Sequence, residues 1–167
     1  MEDQAKFWRQ LKSGHFVPMV KEAVRGQEIS SAQEVYNIMK PVFAETDDVE
    51  TLYCLYLDTK NRILAMEKMF TGSLSSTAVY PREIIKRVIA LKSSAVVITH
   101  NHPTGDPGPS VEDTRITIRL LVALKSMNVD LHDHIIVGEG YYSFADAGVI
   151  GSADVRFCDF LCRLSRE

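Results

Sequence analysis

Two histidines one residue apart, His100 and His102, open the stretch THNHPTGDPGPSVED at residues 99–113. In an extended chain residues i and i+2 share a side, so both imidazoles can converge on one cation while Asn101 points away. A catalytic zinc site takes three ligands from His, Asp or Glu and leaves a fourth position open. Two carboxylates compete for the third place: Asp113, at the head of the following helix, and Asp106, nearer in sequence but inside the loop. Ser110 and Asp113 also form an S-x-x-D pattern, which taken alone is a helix capping box with its acid at the favourable end of the helix dipole. A bare H-x-H equally marks two hydrogen-bonded loop or core histidines. The joint pattern of H-x-H, seven residues, Ser, two residues and Asp, directly behind an apolar strand, is far more specific than either part.

Three further groups invite the same question. His132 and His134 in LHDHII repeat the alternate spacing and could hold a metal by the same reasoning. No acid follows them at a helix start, so a structural role is the better account of both. Glu67 in LAMEKMF is an acid inside an otherwise apolar strand, and the residues alone favour a solvent-facing position for it. Arg82, Lys86 and Arg87 in PREIIKRVIALK can bind an anion, or simply form the solvated face of an amphipathic helix.

The elements that must position these residues are readable from periodicity. SAVVITH is a continuous β-branched run, as expected of a strand covered on both faces, and it delivers His100 at its end. SVEDTRITIRLLVALKSMN predicts a helix capped by Ser110, carrying Ile116, Leu120, Val122 and Leu124 and ending at Asn128. Upstream, SSAQEVYNIMKPVF predicts a short helix ending near Pro41, and ETLYCLYLDTKNRILAMEKMF predicts a hairpin turning at DTKN. Pro81 opens a helix with Ile84, Ile85, Val88 and Ile89 on one face. VDLHDHIIVGEGYYSF predicts two strands around GEG. The alternation of strands and helices argues for an α/β or α+β sandwich with helices covering a mixed sheet. It is organised as an N-terminal helical extension (1–26, loosely patterned and broken near Gly14 and Pro18), a central domain (27–150) and a C-terminal helix (151–167) whose Phe157, Phe160, Leu161 and Leu164 are helically spaced.

With 167 residues, 46% of them hydrophobic, the chain supports one domain burying roughly 70% of its unfolded surface. A net charge of −3 supplies no whole-molecule positive field to draw in nucleic acid. Cys54, Cys158 and Cys162 do not make a disulfide framework and suit a reducing compartment. The charged start and the absence of any apolar run of ~20 residues predict a cytoplasmic protein with no membrane span.

The run HNHPTGDPGPSVED resembles the JAMM signature of the MPN+ metallohydrolases, and the chain from about Val24 to Ile150 resembles their RadC-type branch. LYLDTKNRIL, TGSLSSTAVYPREIIKRVI and DHIIVGEGYYSF carry the likeness around the site. The resemblance implies an MPN/JAB-like mixed sheet between helices, with cytidine-deaminase-like layering. It implies one zinc ion per chain held by His100, His102 and Asp113, with Ser110 stabilising the tetrahedral oxyanion. It also places a general-base glutamate five residues before a glycine, which here is Glu67 before Gly72. The reaction implied is hydrolysis of an amide, peptide or isopeptide, in a peptide or protein substrate. Two other readings stand beside it. The RadC label brings a DNA-repair accessory role, weakened by the acidic balance and by a short N-terminal extension in place of a helix-hairpin-helix region. A non-catalytic, metal-stabilised interaction module is the other, and the presence of Glu67, His100, His102, Ser110 and Asp113 together argues against it. Thr104 replaces the serine usual in the loop and keeps its hydroxyl. The C-terminal helix from Ser152 runs past the usual family end, and its apolar stripe suits either self-association through the terminal helices or contact with another partner.

Overall fold

A computed structural model describes residues 16–45, 48–72 and 81–164. The element order is α1 (Phe16–Val24), α2 (Ala32–Phe43), β1 (Thr51–Leu57), β2 (Ile63–Thr71), α3 (Pro81–Leu91), β3 (Ala95–Asn101), α4 (Val111–Lys125), β4 (Asp130–Val137), β5 (Tyr141–Ser143) and α5 (Val149–Leu164). The strands form one mixed sheet in the order β2-β1-β3-β4-β5. β3 lies at its centre, antiparallel to β1 and parallel to β4. All seven of its residues are buried, which is why its sequence is a continuous apolar run rather than an alternating one.

Alternation along β3 divides the interior into two halves. Ala95 and Val97 face α1 and α2, in a core with Val35, Met39, Leu55, Leu57 and Ile135. Val96 and Ile98 face α3 and α4, in a core with Ile84, Val88, Leu120, Leu121 and Leu124. The result is the expected mixed sheet covered on both faces by helices. Asp58 turns the β1–β2 hairpin by accepting hydrogen bonds from the backbone N–H groups of Lys60 and Arg62, and Asn61 takes the left-handed conformation there with φ of 56°.

Several boundaries differ from the sequence expectation. Both prolines expected to interrupt helices lie inside them. Pro18 sits in the first turn of α1, where its missing N–H has no helical partner to lose. α2 runs past Pro41 to Phe43 because Val42 and Phe43 are buried and packing carries the last turn. Val122 is 39% exposed, and Leu121 takes the core position instead. α5 starts at Val149, three residues earlier than Ser152, with Ile150 and Ala153 packed on the α4 side of the core. The extension also joins the main core, since Val24 is buried among α2 and β2 residues. Phe7 and Leu11 of the expected extension lie outside the described residues. Among the described residues, no helix is long and apolar enough to cross a membrane.

The loop after β3 is stapled to the β4–β5 turn. His102 N–H donates to the Val137 carbonyl at 2.9 Å, and Glu139 N–H to the Gly105 carbonyl at 2.7 Å. That approach needs glycine at 138, where a Cβ would stand 2.2 Å from the Gly105 carbonyl oxygen. Gly140, two residues on, faces open space. Thermal unfolding should therefore show Gly138→Ala destabilised by roughly 1–3 kcal/mol, the usual cost of overpacking, with Gly140→Ala close to the parent.

Candidate metal centre

His100, the sixth residue of β3, is fully buried and shares the α4 side of the sheet with Val96 and Ile98. His102 follows just past the strand end and is 17% exposed. The H-x-H parity thus works as expected, with the two Nε2 atoms 3.0 Å apart. Asp113 arrives from α4. Ser110 caps that helix in a full capping box: its hydroxyl accepts the Asp113 N–H at 3.1 Å, and its own N–H donates to Asp113 Oδ2 at 2.7 Å. The Ser110 hydroxyl also donates to Oδ2 at 2.6 Å. Capping and ligation, alternatives in the sequence, are compatible in space, because the cap occupies Oδ2 and leaves Oδ1 facing the histidines.

Asp113 Oδ1 is buried and has no hydrogen-bond partner, although His100 Nε2 stands 3.2 Å away. His102 Nε2 lies 3.6 Å from Oδ2. The His102 tautomer follows from its other nitrogen, which sits 2.8 Å from the Asp106 carbonyl oxygen. A carbonyl only accepts, so Nδ1 carries the hydrogen and Nε2 presents a lone pair. Burial alone would raise the pKa of Asp113, yet the His100 and His102 imidazoles beside it, aided by Ser110, outweigh burial and hold the carboxyl well below the usual range. Asp113 in turn raises the His102 pKa. The cluster thus pairs an anion with imidazoles that gain from a positive charge between them. Ligands at 2.0–2.1 Å from a tetrahedral zinc stand about 3.3 Å from one another, close to the spacings found here. The donor set fits a divalent metal.

Glu50 completes the group, and the sequence reading missed it. Its Oε1 lies 3.7 Å from His100 Nε2, and Glu50, His100, His102 and Asp113 each place a ligand atom within 4.8 Å of the others. Glu50 directly precedes β1, and Leu52 pairs with His100, so strand parity puts Glu50 on the histidine face, beyond the row of His100. Asn101, whose side chain points the other way, holds this segment: it accepts the Thr51 N–H at 2.7 Å and donates to the Val49 carbonyl at 3.1 Å. One signal was available, an acid at the head of an apolar strand. Finding it required knowing that β1 lies beside β3.

Glu67 is not brought to the cluster. It pairs across the sheet with Cys54, which pairs with Ile98, two strands over and two residues short of His100. Both its oxygens are held by Arg87 of α3, one at 2.8 Å from Nε. The plain solvent-facing reading was also incomplete, since Glu67 is 28% exposed and lies under that helix. Asp106 gives the site only its backbone carbonyl; its carboxylate accepts the Gly108 N–H. His132 and His134 part company, because the β3–β4 register skips His132 in a bulge and breaks the alternation. His132 is exposed against Asn61 at 2.8 Å, while His134 is fully buried with Nε2 2.8 Å from His100 Nδ1.

A family model for the RadC-like JAB domain matches residues 29–149. A UPF0758 protein of Methanosarcina mazei is 43% identical over 125 residues, covering 74% of this chain and 54% of the relative. A UPF0758 protein of Stenotrophomonas maltophilia is 44% identical over 108 residues, 64% of this chain and 46% of its own. The UPF0758 protein YfjY of Escherichia coli is 45% identical over 102 residues, 60% of this chain and 64% of its own. The chain thus spans about half the length of the first two.

Metal analysis of the purified chain by mass spectrometry should find a bound divalent ion in the parent and in His132→Ala. His102→Ala and Asp113→Ala should lose it while remaining folded.

Proposed function

The chain belongs to the RadC-like JAB domain family, and from that premise we propose that it is a zinc-dependent hydrolase of the JAMM type, cleaving a peptide or isopeptide amide. The observation that carries the reading is the buried, unbonded Asp113 Oδ1 facing the Nε2 atoms of His100 and His102. Two imidazoles and one carboxylate suit zinc. Bound there, zinc would polarise the substrate carbonyl and bring the pKa of water down to ~7.

The chain's own residues supply the remaining steps. Asp113, an anion fixed by its cap, balances the charge of the centre. Glu50 is 20% exposed and farther from His100 Nε2 than the atoms of Asp113 or His102, so it suits a proton carrier better than a ligand. It would take the proton of the attacking water and return it to the leaving amine. That role passes from Glu67 to Glu50, because the bidentate grip of Arg87 engages both oxygens of Glu67 away from the cluster. Ser110 would turn its hydroxyl from Asp113 Oδ2 to the oxyanion, while its backbone N–H keeps the carboxylate in place.

A peptide or protein substrate is favoured over nucleic acid by the state of the Arg/Lys-bearing face of α3. Arg82 and Lys86 of α3 pair with Glu83, and Arg87 pairs with Glu67. A cytoplasmic location and a single zinc per chain belong to the same proposal.

With a panel of fluorogenic peptides and isopeptide conjugates, the zinc-loaded chain should hydrolyse at least one probe, and a chelator should stop it. Glu50→Gln should lower kcat by about 10²–10⁴-fold, the usual weight of general acid–base catalysis, while keeping its metal. Glu67→Gln should stay within a few-fold of the parent and lose roughly 0.2–1 kcal/mol of stability with its partly exposed ion pair. Full turnover in Glu50→Gln, or a metal-loaded parent inert to every amide probe, would sink the assignment.

A further inference from the structure

Two buried polar side chains behind the cluster take no part in the reaction above. His134 of β4 and Thr117 of α4 are both fully buried. They are joined in series: Thr117 Oγ1 lies 2.6 Å from the Asp113 carbonyl oxygen and 2.6 Å from His134 Nδ1, and His134 Nε2 lies 2.8 Å from His100 Nδ1. The line starts at the backbone of one candidate ligand and ends on the ring of another.

Only one placement of protons satisfies every member. A carbonyl accepts and never donates, so the single hydrogen of the Thr117 hydroxyl goes to Asp113. Toward His134 the hydroxyl can then only accept, which puts a hydrogen on His134 Nδ1. His134 is fully buried and its two ring nitrogens face only Thr117 and His100, neither of them an anion to balance a charge, so its ring is neutral and Nε2 is bare. A bare Nε2 accepts, so His100 Nδ1 carries a hydrogen. A neutral His100 then has its lone pair on Nε2, the atom aimed at Asp113 and His102. The His134 ring cannot easily turn to escape this order. It stacks on Phe144 with centroids 4.8 Å apart and planes 7° from parallel, and its backbone N–H is held by Asp133 at 2.7 Å.

We propose that Thr117 and His134 are positioning residues that dictate the tautomer of His100. α4 thereby governs two ligands at once: it carries Asp113 directly and, one turn later, sets the ring of His100 from behind. The consequence for metal affinity rests on the reading of this cluster as a zinc centre, whereas the tautomer can be measured in metal-free protein.

The test uses the full chain with 15N-labelled imidazoles, stripped of metal and held at alkaline pH, with ring tautomers read from two-bond 1H–15N correlations. The parent should carry hydrogen on Nδ1 of both His100 and His134. In Thr117→Val, nearly isosteric but without the hydroxyl, the His100 hydrogen should move to Nε2, and Thr117→Ser should restore it. Zinc competition against a chromophoric chelator should show Thr117→Val weaker by about 10–100-fold and Thr117→Ser within a few-fold. The parent spectrum decides even if Thr117→Val does not fold, since hydrogen on Nε2 of the parent His100 overturns the proposal. An unchanged His100 tautomer in folded Thr117→Val also overturns it. Tautomers that follow the expected order in a chain that binds no zinc would uphold the relay and refute the metal reading instead.

Discussion

His100 Nε2, His102 Nε2 and Asp113 Oδ1 are three electron-rich atoms gathered at the end of a buried strand, with 3.0 Å between the first two and 3.2 Å between the first and third. Nothing in two facing imidazole lone pairs attracts itself, so the surrounding structure must hold them there. Rigidity comes from β3, whose seven buried residues pack against helices on both faces. The capping box fixes Asp113 through Oδ2 and leaves Oδ1 over. The β4–β5 turn clamps the loop from outside through a contact only glycine permits.

The strand end serves the site with both of its faces. His100 points into the α4 side, and Asn101, its neighbour, points away and ties down Val49 and Thr51. Glu50 lies between those two residues, so the side chain that turns its back on the cluster sets the backbone from which the second acid reaches it. Hydrogen-bond direction does similar service at a distance from the lone pairs. The carbonyl of Asp106 fixes His102 from one side, and the line through His134 and Thr117 approaches His100 from the other.

Much of this was legible in the chain because its physics is local. The apolar run SAVVITH, the turn residues after it and the serine four residues before Thr114 describe a strand, a loop and a capped helix without reference to anything else in the molecule. His100, His102, Ser110 and Asp113 lie within that one unit of 14 residues, and the H-x-H parity holds because β3 runs unbroken to Asn101. The hairpin at Asp58 and the helix from Pro81 were equally local readings.

Spacing within the sequence determined the unit that carries the three residues whose donor atoms converge, and the order of strands and helices around it. Tertiary structure decided which other groups join them. β1 brings Glu50 beside His100 from fifty residues away, while β2, one strand farther out, leaves Glu67 under Arg87. A bulge at His132 turned a second H-x-H into one exposed residue and one buried behind the site. Strand parity can be counted along the sequence, but register between strands is set by which side chains the sheet can pack and by where a bulge slips the phase, and those are properties of the assembled core.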